Sequence, residues 1–227
     1  MSLRPMKPIP NPTKNPFVNV PPLEKRHPQL INLLRNISND VCEGLGEDYI
    51  YIETESKTES TTLIVGKEGY MRLVINPYEI KGRPFIKLGS IYIRPKYRGK
   101  GVGEKWIKTL ISVVGDFSWG TNDGKMVGRF GIILRPKCIV YGEGSYIQNK
   151  CWTTYLPQMT EGLVESKYGD WFRKSILENI EEYESIPKKL TIKRWKNNSK
   201  RLKSYYRRFG FSPYDKEHFI LDMGDRN

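Results

Sequence analysis

The sequence predicts an α/β (α+β) fold in which helices flank a mixed, mostly antiparallel central sheet, and three observations carry that prediction. Runs between residues 49 and 93 alternate apolar with polar positions, as half-buried strands do. A glycine-rich basic turn, Arg98-Gly99-Lys100-Gly101-Val102-Gly103, joins the last of them to a segment with Trp106, Ile107, Leu110 and Ile111 at helical spacing. Near the end of the chain, Leu202, Tyr205, Tyr206 and Phe209 share one helical face ahead of Gly210, and Phe219 to Leu221 reads as a closing strand.

From the start of the chain, residues 1–28 hold Pro5, Pro8, Pro10, Pro12, Pro16, Pro21, Pro22 and Pro28, a density that helix and sheet interiors exclude. They are expected to form an extended arm, either a leader or a strap that docks through Phe17 and Val18. Residues 29–227 are expected to make one domain. Leu30, Ile31, Leu33, Leu34, Ile37 and Val41 predict a helix that stops near Gly44. Tyr49 to Glu53, Thr61 to Val65, Tyr70 to Ile75 and Phe85 to Ile93 predict a meander, with Gly66-Lys-Glu-Gly69 as a hairpin turn. Beyond the glycine turn and its helix, Phe117 to Asp123 reads as loop, and Arg129 to Leu134 with Cys138 to Tyr141 as a second hairpin. Trp171 to Tyr183 reads as a helix. Leu190 to Trp195 is the expected strand before the last helix, with Phe130 to Leu134 as the competing choice; the former makes 116–187 an insertion.

The glycine turn carries the chemistry. A helix starting at Gly101 to Gly103 aims unpaired backbone N–H groups and the positive end of its dipole into the turn, and glycine lets an anion approach the backbone. The Rossmann spacing G-x-G-x-x-G does not fit glycines at 99, 101 and 103, and the G-K-[ST] of a P-loop is missing. The pattern that fits is R-x-x-G-x-G on Arg98, Gly101 and Gly103. It resembles motif A of the GNAT superfamily of acetyl-CoA-dependent N-acetyltransferases. The segment from Ser199 to Phe211, with Tyr206 four residues before Gly210-Phe211, is similar to that family's motif B. Together the resemblance covers about residues 60–115 and 188–222.

The resemblance implies a GNAT acyl-CoA N-acyltransferase fold with an insertion between the motif A helix and motif B. It implies acetyl-CoA as co-substrate, its pyrophosphate held by consecutive amides and basic side chains of Arg98, Gly99, Lys100, Gly101, Val102 and Gly103. The acetyl carbonyl would be polarised by backbone N–H near Ile91 and Ile93, and Tyr206 would protonate the departing thiolate as general acid. Ser90, Tyr92 and Glu143 are candidates for a proton path from the amine. The chain departs from the pattern in three ways. Ser199 stands where the motif B helix often opens with Asn, the strand before motif A has no Glu to serve as base, and roughly 70 residues separate the motif A helix from motif B.

Composition bounds the rest. A chain of 227 residues forms one large domain or one domain with an insertion. Cys42, Cys138 and Cys151 are odd in number and lack CxxC spacing, which fits free thiols in a reducing compartment such as the cytoplasm. His27 and His218 are the only histidines, so a metal site is not expected. No apolar run approaches the ~20 residues of a membrane span, and the start lacks a signal peptide's apolar stretch. The formal net charge is +13, and ten Lys or Arg residues lie between Pro187 and Phe209 with no acid among them. Coenzyme phosphates account for a few of these charges; the surplus favours an acidic protein or a ribonucleoprotein as partner or acceptor. Two readings emerge. One is a working acetyltransferase for an unidentified primary amine. The other keeps the fold as an assembly component, using the arm and insertion to bind partners. Its Lys-, Asn-, Ile- and Tyr-rich composition suits an AT-rich viral genome, and a virion would then be its location.

Overall fold

A computed structural model describes residues 29–55, 60–80, 83–120, 126–136, 165–184 and 199–224. Helix α1 spans Gln29–Leu45 and buries the stripe Leu30, Leu34, Ile37, Val41 and Leu45. It ends at Gly46, whose φ of 118° is open to glycine. Strands β1 (Ile50–Glu55), β2 (Ser60–Gly66), β3 (Gly69–Ile80) and β4 (Arg83–Ile93) form the expected antiparallel meander. The hairpin between β2 and β3 pairs Gly66 with Gly69. A 3-10 turn at Pro95–Tyr97 then leads to α2, Val102–Asp116.

Beyond α2 the structure corrects two expectations. Where loop is expected, β5 (Ser118–Gly120) pairs with β6 (Met126–Arg129) in a separate two-stranded sheet. The strand beside β4 is β7, Gly131–Leu134, lying parallel to it. This is the competing choice, and the preferred one, 190–195, lies outside the described residues. All four residues of β7 are buried, and an uncharged run suits a central parallel strand better than one carrying Lys193 and Arg194. β7 also has both edges filled, by β4 and by β9, so the hairpin expected between 129–134 and 138–141 has no free edge there. Residues 138–141 are themselves outside the described set.

Helix α3, Lys167–Glu184, contains the helix expected at 171–183. Helix α4 runs over 199–207, followed by Gly210 at φ 89°, the expected left-handed cap. β8 (Ser212–Pro213) and β9 (Phe219–Leu221) complete the main sheet. Its order is β1-β2-β3-β4-β7-β9-β8, antiparallel except for the β4–β7 pair.

Side chains divide between two faces. Met71, Leu73, Ile86, Leu88, Ile132, Leu134 and Phe219 join α1, α2 and α4 in one core, with Trp106 and Phe211 inside it. Each fully buried Leu or Ile there contributes about 1.5–3 kcal/mol. The opposite face carries a smaller cluster of Ile80, Phe85 and Ile133. On that face α3 packs over the meander, the Phe172 ring 5.3 Å from that of Tyr70. Among the described residues no helix is long and apolar enough to cross a membrane, and no cluster of His, Cys, Asp and Glu could hold a metal ion.

Candidate active site

β4 is longer than its parallel neighbour. Pairing covers Phe85 to Leu88 against Gly131 to Leu134 and then stops, while β4 continues to Ile93. Among the described residues, the edge from Gly89 to Ile93 therefore has no strand partner on the β7 side, and a gap opens there. Within it the register slips: Leu73 lies opposite Leu88 but Arg72 opposite Ser90, which leaves Gly89 as an extra residue. Such a bulge re-aims neighbouring backbone groups. A Cβ at Gly89 would lie 2.8 Å from Arg72 Nε and 2.9 Å from Arg72 Nη2, so the guanidinium lies directly over this glycine and a larger residue would displace it. Ile91 and Ile93 pack their side chains against the main core.

The gap ends at the glycine turn. Gly99 and Gly101 have φ of 75° and 79°, and a methyl placed on either would meet nothing within 4 Å. Gly101 caps α2, its carbonyl accepting from the Lys105 N–H at 2.9 Å. The N–H groups of Val102, Gly103 and Glu104 thus precede the first intrahelical donor and point out of the helix end. Glu104 would oppose an anion here, but its carboxylate is drawn to Lys108 at 2.7 Å. That hydrogen bond also holds its pKa below the ordinary value. The turn therefore presents open backbone N–H groups at a helix start, a geometry that suits an anion.

Of the basic residues assigned to this cradle, Lys100 stays exposed, 5.8 Å from the Tyr97 ring. Arg98 turns toward α3. Its Nε donates to the Ile93 carbonyl at 2.8 Å, and Nη1 and Nη2 each donate to the Glu182 carboxylate at 2.7 Å. Arg94, 5% exposed, forms the same fork with Glu178 at 2.9 and 2.5 Å and also donates to the Lys67 carbonyl. Sequence reasoning could see α3 as a helix but had no signal for this docking.

Helix α4 brings two tyrosines near the site. The Tyr205 hydroxyl lies 3.2 Å from where a side chain on Gly103 would begin, at the mouth of the cradle. Burial raises its pKa to about 12, so it is a neutral donor at physiological pH. Tyr206, the expected acid, packs against Phe211 with ring centroids 5.7 Å apart and against Tyr205 at 5.4 Å. At the head of α4 the Ser199 hydroxyl is buried without a hydrogen-bond partner among the described residues. Tyr92 points to the α3 face with its hydroxyl buried and, among the described residues, unpartnered. Burial first, helped by Glu182 and Glu178 against Arg98, pushes its phenol well above the ordinary range. Ser90 lies half-exposed beside it, and Glu143 is outside the described residues.

The face of the gap away from α1 and α2 holds a pair that sequence reasoning did not single out. Phe219 lies in the main core and Ile220 against the smaller cluster, so alternation puts His218 on the second face, next to Arg135 at the end of β7. His218 Nδ1 lies 2.9 Å from Asp215 Oδ2. Burial alone would raise the Asp215 pKa, but hydrogen bonds from the His218 side chain and backbone outweigh it and leave the carboxyl below its ordinary value. Glu217 pairs with Arg135 alongside. An imidazole held through Nδ1 keeps Nε2 for proton exchange.

A parallel pair separates beyond a bulged strand, and a glycine turn then caps a helix. Residues 31–121, from α1 through β5, which hold the bulged strand and the turn, match the family model for the acetyltransferase (GNAT) family. Over that stretch the chain is similar to the GNAT family. No curated protein and no solved structure matches the chain. The mixed sheet is consistent with that family's fold, and the similarity supports acetyltransferase-type chemistry in general. The match ends ahead of β7, α3 and α4, so those elements are read from the structure alone.

Proposed function

We propose that the protein is an N-acetyltransferase that transfers the acetyl group of acetyl-CoA to a primary amine by direct attack. The observation that carries this is the open glycine cradle at the start of α2, continuous with the free edge of β4. Amides of Val102 and Gly103, with Tyr205, suit a pyrophosphate and the arm that continues from it. The backbone edge from Gly89 to Ile93 suits the thioester carbonyl, whose charge grows as the amine adds. Tyr206 is the proposed proton donor to the leaving thiolate. β4 supplies no carboxylate base: Lys87 occupies its outer face and donates to the Tyr78 hydroxyl at 2.7 Å. The proposed proton acceptor is therefore His218, oriented by Asp215, with Arg135, Lys216 and Glu217 as its charged surroundings. An assembly role without catalysis has less support, since a scaffold gains nothing from an exposed cradle of left-handed glycines.

Gly101→Asp tests the reading. It puts a side chain and a negative charge at the cradle's open face while adding no contact with the core. Acetyl-CoA binding measured by titration calorimetry is expected to vanish, with circular dichroism unchanged. Wild-type affinity in the folded variant would remove the cradle from the coenzyme site.

A further inference from the structure

We infer that α3 is the strut that positions the coenzyme cradle, with Glu182 and Glu178 as positioning residues; this rests on the acetyl-CoA reading of that turn. Two arginines four residues apart, Arg94 and Arg98, flank the 3-10 turn that leads into the glycines. Two glutamates four residues apart, Glu178 and Glu182, stand one turn apart on α3 and meet them fork to fork. The connection is held at both ends. Arg94 is tied to the β2–β3 hairpin by its N–H to the Glu68 carbonyl and its side chain to the Lys67 carbonyl. Arg98 folds back on the Ile93 carbonyl and is then clamped by Glu182.

The clamp matters because of the glycines just beyond it. Gly99 and Gly101 stand in open space, where a Cβ on either would meet nothing within 4 Å, and glycine loses more freedom on ordering than any other residue. A cradle of convergent amides binds well only if that freedom has already been removed. α2 anchors its far side, and Arg98 is the last residue before the first glycine. Glu182 therefore orders the near side. Its charge does not spoil the cradle, because the bidentate fork with Arg98 neutralises it.

The sign of the effect separates two roles for Glu182. If it competes with phosphate for Arg98, removing it tightens coenzyme binding; if it positions the turn, removing it weakens binding. Arg98 is 42% exposed at its side chain, so freeing its solvent-screened charge gains little, and loosening the glycines dominates. Glu182→Ala in the full chain is expected to raise the Kd for acetyl-CoA about tenfold and to speed hydrogen exchange at amides 99–103. Exchange in α1 and β3 should stay as in the wild type. Arg173→Ala, which breaks the Arg173–Asp170 pair near the start of the same helix, should alter neither readout. Equal or tighter acetyl-CoA binding in Glu182→Ala, or unchanged exchange at 99–103, would overturn the strut. Wild-type protein that does not bind acetyl-CoA would instead overturn the coenzyme reading, while the exchange measurement would still judge the strut.

Discussion

Tyr205 and Tyr206 are neighbours in sequence but about 100° apart around α4, and that rotation divides their work. Tyr205 reaches Gly103 at the cradle; Tyr206 leans on Phe211. Tyr205→Phe is expected to weaken acetyl-CoA binding roughly fivefold, the loss of one hydrogen bond, with turnover at saturation little changed. Tyr206→Phe should leave affinity intact and lower turnover by roughly 10²-fold, the scale of a positioned general acid. His218→Gln should lower turnover by roughly 10²-fold, the scale of a positioned general base. Thiol release from acetyl-CoA across a panel of primary amines measures all three. An exchange of the two tyrosine phenotypes would make Tyr205 the acid, and wild-type turnover in His218→Gln would dismiss His218. At this scale the sequence disclosed the two tyrosines and the glycines, since their spacing is local. It was silent on His218, whose partner Asp215 gains meaning only when β9 sits beside β7.

At the scale of elements, the Arg94–Glu178 pair ties α3 to the end of β4 across 84 residues of sequence. Arg94 is almost completely buried while Glu178 keeps some solvent. Removing the carboxylate leaves a buried charge unpaired, and Glu178→Ala should destabilise the fold by roughly 2–3 kcal/mol, at or below the lower end for buried pairs. The pair also gives a pH signature. The hydrogen bond from Arg94 holds the Glu178 pKa below its ordinary value of 4.5. A depressed carboxylate lends stability that is fully present above that value and is lost as pH falls through the folded pKa. Urea midpoints between pH 6 and pH 3 should therefore decline in the wild type, and less steeply in Glu178→Ala. Parallel curves would show that the pair contributes nothing. The helix itself was legible from its periodicity. Its attachment was not, because Arg and Glu at four-residue spacing are ordinary helix-surface and turn residues until the two segments meet.

For the molecule as a whole, the arm at 1–28 remains a sequence inference, and it is testable apart from the active site. Its proline density cannot add a packed element to the domain, so deleting it should leave thermal stability and acetyl-CoA affinity nearly unchanged. If it is a strap, deletion should abolish oligomerisation or co-purification seen by light scattering and pull-down. Identical mass and partners in the truncated form would sink the assembly reading. Most of what is local could be read from the order of residues: α1, the four-stranded meander, the glycine turn with α2, and α4 with its glycine cap, though not the β5–β6 hairpin. Period, turn residues and caps act within a few residues of one another. Folding in three dimensions settled which strand lies beside β4, where the β4–β7 pair stops, and which side of the cradle α3 supports. A buried strand such as Gly131–Leu134 carries no alternation to mark its neighbours, and nothing local distinguishes it from other apolar runs until the sheet selects the one that can be buried on both faces.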